Sequence, residues 1–113
     1  MTSERVPQVF IPVAGRIWPA TIDTGFNGAL EIHEALRDEV PHRFAGEVVS
    51  LLAAGQRVSE DGYRVEFPFD GELVRVLATF SPDDEILIGT RLLRGYRLEV
   101  DFPARRVLLE RTA

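Results

Sequence analysis

Between residues 63 and 80 the sequence alternates with a period of two around a single Asp-Gly step. Tyr63, Val65, Phe67 and Phe69 are separated by Arg64, Glu66 and Pro68; after Asp70-Gly71, the residues Val74, Val76, Ala78 and Phe80 again take every second place. A period of two belongs to a pleated strand with one face on a core, because successive side chains point to opposite faces. Asp-Gly between two such runs favours a two-residue hairpin turn, whose central residues need positive φ. This segment therefore predicts an antiparallel pair and draws the rest of the chain toward a β architecture.

The remaining sequence agrees. Val9 to Val13 and Ile17 to Ile22 read as strands around an Ala14-Gly15-Arg16 turn, with Pro19 pushing the second toward an edge or a bulge. Asp23 to Ala29 is a loop with two glycines, and Leu30 to Ile32 is extended again. Ile32, Leu36 and Val40 recur every four residues before Pro41, which predicts a short helix over 33–40. Glu47 to Leu52 and a return limb from Arg57 predict a hairpin with Gly55 at or near its tip. Ile86-Leu87-Ile88-Gly89 is a buried strand ending in Gly; Thr90 to Arg94 could form one helical turn. Leu98 to Phe102 and Val107 to Glu110 predict a last hairpin around Pro103-Ala104-Arg105. Many short strands at regular spacing mean an all-β barrel or sandwich.

A chain of 113 residues fits one domain, 1–113, with the polar residues 1–8 expected to be frayed. The absence of Cys excludes a disulfide framework, a thiol nucleophile and a Cys-based metal centre. All 13 basic residues are Arg, so a Schiff-base lysine is excluded too. A net charge of −5 argues against general nucleic-acid binding, which needs a basic face. No apolar run approaches a membrane span, and no signal-peptide pattern opens the chain. The expectation is a soluble cytoplasmic domain with no membrane or nucleic-acid partner.

The segment richest in chemistry is Ala20-Thr21-Ile22-Asp23-Thr24-Gly25-Phe26-Asn27-Gly28-Ala29-Leu30. An apolar strand delivers a carboxylate into a turn. Gly25 allows backbone N–H groups to come close to that carboxylate or to a substrate, and Thr24 offers a hydroxyl. Alone, Asp-Thr-Gly is equally an Asx-type turn. Ile86-Leu87-Ile88-Gly89-Thr90-Arg91-Leu92-Leu93 supplies a second piece: an apolar strand, a Gly, then a short amphipathic turn.

The two segments together, over roughly residues 9 to 102, resemble the retropepsin-like aspartic proteases (clan AA, single-domain, retroviral-type). That family has an early apolar–Asp–Thr–Gly loop, a late apolar–apolar–Gly segment and a flap hairpin between them, here Val48 to Ser59. Leu92 to Phe102 is most similar to single-domain prokaryotic members. The resemblance implies a closed acid-protease-like barrel with one or two short helices and a flap hairpin. It implies catalysis by Asp23, with Thr24 and Gly25 holding the carboxylate. It needs no cofactor and no metal. Ala54 and Gly55 near the flap tip would pair with a peptide by strand addition; Phe26, Asn27, Val49 and Ile88 are the candidate substrate-pocket residues.

Hydrolysis by this route needs two carboxylates that share one proton. The chain has a single Asp-Thr-Gly, since Asp61-Gly62 and Asp70-Gly71 lack the motif. The second Asp23 must then come from an identical chain across a two-fold axis, which implies a homodimer. The sequence also departs from the family. Phe26 stands where retroviral members have Ala and pepsin-like enzymes Ser or Thr. Asn27-Gly28 and Thr90 replace an acidic pair and its Arg partner. These departures motivate an alternative, a weakly active or inactive module for peptide binding or dimerisation. A third possibility is an unrelated β-barrel with a chance Asp-Thr-Gly.

Other candidates have plainer explanations. His33 and His42 have no third ligand in register. Asp83-Asp84-Glu85 lacks the alternating ligand spacing of a calcium loop. Arg94, Arg97, Arg105 and Arg106 are read as surface charge, and Trp18 beside Pro19 as packing. Val107-Leu108-Leu109 could add a strand to the barrel or to a dimer interface.

Overall fold

The computed structural model describes residues 7–51 and 55–112. Its strands are β1 (Gln8–Val13), β2 (Arg16–Ile22), β3 (Leu30–His33), β4 (His42–Leu51), β5 (Arg57–Phe69), β6 (Glu72–Ser81), β7 (Ile86–Ile88), β8 (Tyr96–Asp101) and β9 (Arg106–Arg111), with a 3₁₀ helix at Glu34–Glu39. Seven strands form one sheet in the order β1-β2-β7-β3-β6-β5-β4, and β8-β9 form a second. β1 and β4 are the hydrogen-bonded ends of the larger sheet; no ladder joins them among the described residues.

Two turns have the same origin. Val13 pairs with Arg16 and Phe69 with Glu72, leaving Ala14-Gly15 and Asp70-Gly71 as two-residue loops. All four residues have positive φ, from 52° to 80°. That twist matches the right-handed twist of the flanking strands. The alternation that the sequence promised is also present: Val65, Phe67 and Phe69 are buried, while Arg64 is exposed. Pro19 sits opposite Phe10 with no bulge, just before β2 meets β7 at Ala20, so its missing N–H interrupts no ladder with β7.

Three sequence expectations change. The helix over 33–40 is a six-residue 3₁₀ segment, with buried Leu36 facing inward and the Val40 N–H bonding to the Leu36 carbonyl. Residues 90–94 form successive tight turns instead of a helix; Leu92, Leu93 and Tyr96 each donate a backbone N–H to the carbonyl three residues earlier. Residues 7 and 8, expected to be frayed, take part in the sheet. Gln8 opens β1, and the Pro7 carbonyl accepts the Ile22 N–H at 2.9 Å. Residues 1–6 lie outside the described residues.

The core gathers where the strands cross. β7 runs parallel to β2 and antiparallel to β3, and β3 runs parallel to β6. Ala20, Ile32, Phe67, Ile86 and Ile88 have no exposed surface at all. Burying a side chain of that size contributes about 1.5–3 kcal/mol relative to leaving it in water. No helix is long and apolar enough to cross a membrane among the described residues.

The last hairpin pairs as expected but stands apart. β9 joins β8, not the larger sheet. It is fastened by its inward face: the Tyr96 hydroxyl donates to Asp70 at 2.9 Å, and Arg111 reaches Asp70 at 3.0 Å and Glu72 at 2.9 Å.

Candidate active site

Asp23 follows the last residue of β2. Its own N–H donates to the Ile88 carbonyl at 2.9 Å, which anchors the start of the loop to β7. The Gly25 N–H donates to Asp23 Oδ1 at 3.0 Å, and the Phe26 N–H donates to the Asp23 carbonyl at 3.1 Å. A Cβ at Gly25 would lie 3.3 Å from that carboxylate oxygen, so the residue type keeps the bond short. The Asp23 side chain is thus held by its own turn and half-buried; Thr24 and Asn27 are exposed.

The loop is clamped from below by the turn after β7. Gly89 donates to the Ala29 carbonyl at 3.0 Å, Thr90 to the Phe26 carbonyl at 2.9 Å, and Arg91 to the Gly28 carbonyl at 3.2 Å. The Thr90 hydroxyl adds a second bond to the Phe26 carbonyl at 3.3 Å. Gly89 is obligatory here, since a Cβ would strike the Gly28 carbonyl oxygen and come within 2.7 Å of the Phe26 carbonyl oxygen.

Phe26 turns back over this crossing. Cβ atoms built at Gly28 and Gly89 would each lie 2.7 Å from its ring. Two glycines therefore make room for the ring, which stays half-buried on its own loop. Ile88, expected as a pocket wall, is corrected: it is 0% exposed and pairs with Ile22 and Leu30 inside the core. Strand alternation puts its neighbour Leu87, paired with Thr21, on the opposite face.

The expected hairpin is present as β4 and β5, with Val48 opposite Glu60 and Leu51 opposite Arg57. Val49 is 61% exposed on one arm. Gly55 is exposed with φ of 79°. Ala54 lies outside the described residues. β4 starts at His42, five residues before the expected Glu47, with a register shift between Phe44 and Gly46.

Two features near Asp23 went unseen in the sequence. The Thr21 hydroxyl donates to Glu85 Oε2 at 2.8 Å, and Gln8 Nε2 donates to Thr21 Oγ1 at 3.1 Å and to Glu85 at 3.3 Å. This ties β1, β2 and the approach to β7 together two residues before Asp23. Glu31 is the second. Burial pushes its carboxyl above the usual glutamate range, repulsion from Glu60, Asp83 and Asp23 adds to the rise, and a hydrogen bond with Ser81 opposes it. These partners are far apart in sequence, and no local motif signals them.

The remaining candidates make local contacts. The His33 ring meets Trp18 edge-on at 5.6 Å, and Arg16 lies over Trp18 at 4.8 Å. The His42 ring contacts Tyr63 and Phe80, at 5.6 and 5.4 Å. No group of three metal-ligating side chains occurs among the described residues. Asp83 donates its N–H to the Ser81 hydroxyl at 3.2 Å, and Arg97 pairs with Glu99 at 3.2 Å.

No protein-family model matches the sequence, and no curated protein matches it either. Solved structures do. A foamy viral protease-reverse transcriptase, solved with an RNA/DNA hybrid, is 25% identical with a TM-score of 0.62 over 86% of this chain; the chain spans 13% of that protein's length. The simian foamy virus (mac) protease is 24% identical with a TM-score of 0.56, covering 78% of this chain and 92% of the viral one. The EIAV protease, complexed with the inhibitor HBY-793, is 14% identical with a TM-score of 0.62, covering 83% and 90%. Taken with the Asp23 loop clamped over Gly89, these likenesses give the chain a retropepsin-type all-β fold, the general fold of the retroviral proteases.

Proposed function

We propose that this chain is an aspartic endopeptidase whose reaction centre is completed by Asp23 of a second, identical chain. The observation that carries the reading is the braced Asp23 carboxylate: Gly25 holds Oδ1, and Gly89 and Thr90 fasten the loop in a fold shared with retroviral proteases. A two-fold axis beside Thr24 sets the two carboxylates against each other. Two carboxylates brought close together disfavour double ionisation, so the reaction uses the pair with one proton shared between them. The ionised member takes a proton from water, which attacks the peptide carbonyl. The protonated member donates to the carbonyl oxygen. The β4–β5 hairpins act as flaps: their tips, Ala54 and Gly55, pair with an extended peptide, and Phe26, Asn27 and Val49 line its path. The enzyme works without a cofactor, and its setting is the cytoplasm.

A second reading is favoured by Phe26 and Thr90. The Phe26 ring fills the space over Gly28 and Gly89, and the loop is fastened by Thr90 with no ion pair among the described residues. This suits a peptide-binding module that has lost catalysis. Asp23→Asn separates the two. An enzyme loses cleavage of unstructured peptides across acidic to neutral pH, by on the order of 10³-fold or more, because both acid–base roles vanish together. A binding module shows no cleavage in the wild type and equal peptide affinity in both proteins. Cleavage that survives in the variant removes Asp23 from the mechanism.

A further inference from the structure

At the base of the β4–β5 hairpin, far along the sheet from Asp23, the register does something costly. Arg43 stands directly opposite Arg64. Like charges in facing positions of an antiparallel pair oppose association of the strands. On the next strand, Arg75 faces Glu66. By alternation Arg43, Arg64, Glu66 and Arg75 all point to one face. They line an open depression of about 410 Å³ together with Pro41 and His42. Glu66 is spoken for by Arg75 at 3.4 Å; Arg43 and Arg64 form no ion pair among the described residues. Three guanidinium groups against one carboxylate leave a local excess of positive charge on a chain whose net charge is −5.

We propose that this depression is a binding site for a small phosphate-bearing molecule. Guanidinium groups present paired N–H donors that fit phosphate oxygens two at a time. A tetrahedral dianion seated between Arg43 and Arg64 accepts from both and turns their repulsion into a shared attraction; a monocarboxylate brings half the charge and fewer acceptor oxygens. The volume lies within the range of pockets that hold small organic ligands. The bound phosphate joins β4 to β5 immediately before the register break between Phe44 and Gly46, and so braces the root of the hairpin. The site is independent of Asp23 and stands whether or not the chain hydrolyses peptides.

The test is thermal unfolding of the full chain at constant ionic strength, which removes simple screening. The probes are inorganic phosphate, O-phosphoserine and acetate. The expected result is a saturable rise in Tm with at least one phosphate probe and none with acetate. Arg43→Gln and Arg64→Gln should each weaken that apparent affinity at least about tenfold, while Tm without ligand stays equal or rises because the facing charges are gone. Tighter binding of O-phosphoserine identifies an organic phosphate as the occupant; equal binding identifies free phosphate. A Tm shift unchanged in the double variant, matched by acetate, or absent with both phosphate probes overturns the site.

Discussion

Ile22, Leu30 and Ile88, where three strands cross beneath Asp23, are 5%, 1% and 0% exposed, whereas Phe44 and Val49 on the β4–β5 hairpin are 59% and 61% exposed. The crossing is held from several directions at once: parallel and antiparallel ladders, a buried apolar cluster, and four hydrogen bonds from Gly89, Thr90 and Arg91 to the Asp23 loop. Beyond Tyr63, toward its tip, the hairpin has only the β4–β5 ladder among the described residues. Local opening costs free energy in proportion to such contacts. The crossing, which positions the Asp23 carboxylate, is therefore held more firmly than the hairpin.

The sharpest way to break this contrast is Gly89→Ala. The added methyl meets backbone oxygens of Gly28 and Phe26, which have no flexible side chain to yield. Urea denaturation should show a loss of about 4 kcal/mol or more, or no folded protein at all. A variant within about 1 kcal/mol of wild type would show that the crossing tolerates separation.

Gly55→Ala probes the opposite region. Among the described residues nothing lies within 4 Å of the added methyl, but φ is 79°. The cost is then only the left-handed conformation of an alanine, about 1–2 kcal/mol. Hydrogen exchange should quicken in β4 and β5 near the tip and stay unchanged at Ile22 and Ile88. Equal acceleration at the crossing would mean that the two regions unfold as one unit.

Glu31 is linked to both regions by charge, repelled by Asp23 of the first and by Glu60 of the hairpin. Its carboxyl is raised by burial, so the folded state holds the proton more tightly than the unfolded chain. That contribution to stability is complete below the ordinary glutamate value of 4.5 and is lost as pH rises through the higher folded-state value. Glu31→Gln should therefore raise Tm at neutral pH and lose the advantage in acid. An equal or lower Tm at neutral pH would contradict the assignment.

Much of this was legible in the sequence where local signals decide. Ala14-Gly15 and Asp70-Gly71 carry their own turn geometry, Tyr63 to Phe80 carries its own period, and Ile86 to Gly89 announces a buried strand that stops. What stayed hidden depends on register. His42 to Gly46 lacks alternation and becomes strand only because β5 lies beside it. Apolar character alone does not reveal which face of β7 looks inward, so the burial of Ile88 is not visible in the sequence. Arg43, Arg64 and Arg75 meet only across three strands, whereas Arg94, Arg97, Arg105 and Arg106 already lie close in sequence.

The proposal of a shared centre is tested most directly by the separation of the two Asp23 carboxylates in a crystal of the dimer. The account predicts side chains about 3 Å apart with one water between them. Two Asp23 residues on outward faces of the assembly, or a chain that crystallises and sediments as a monomer, would contradict it.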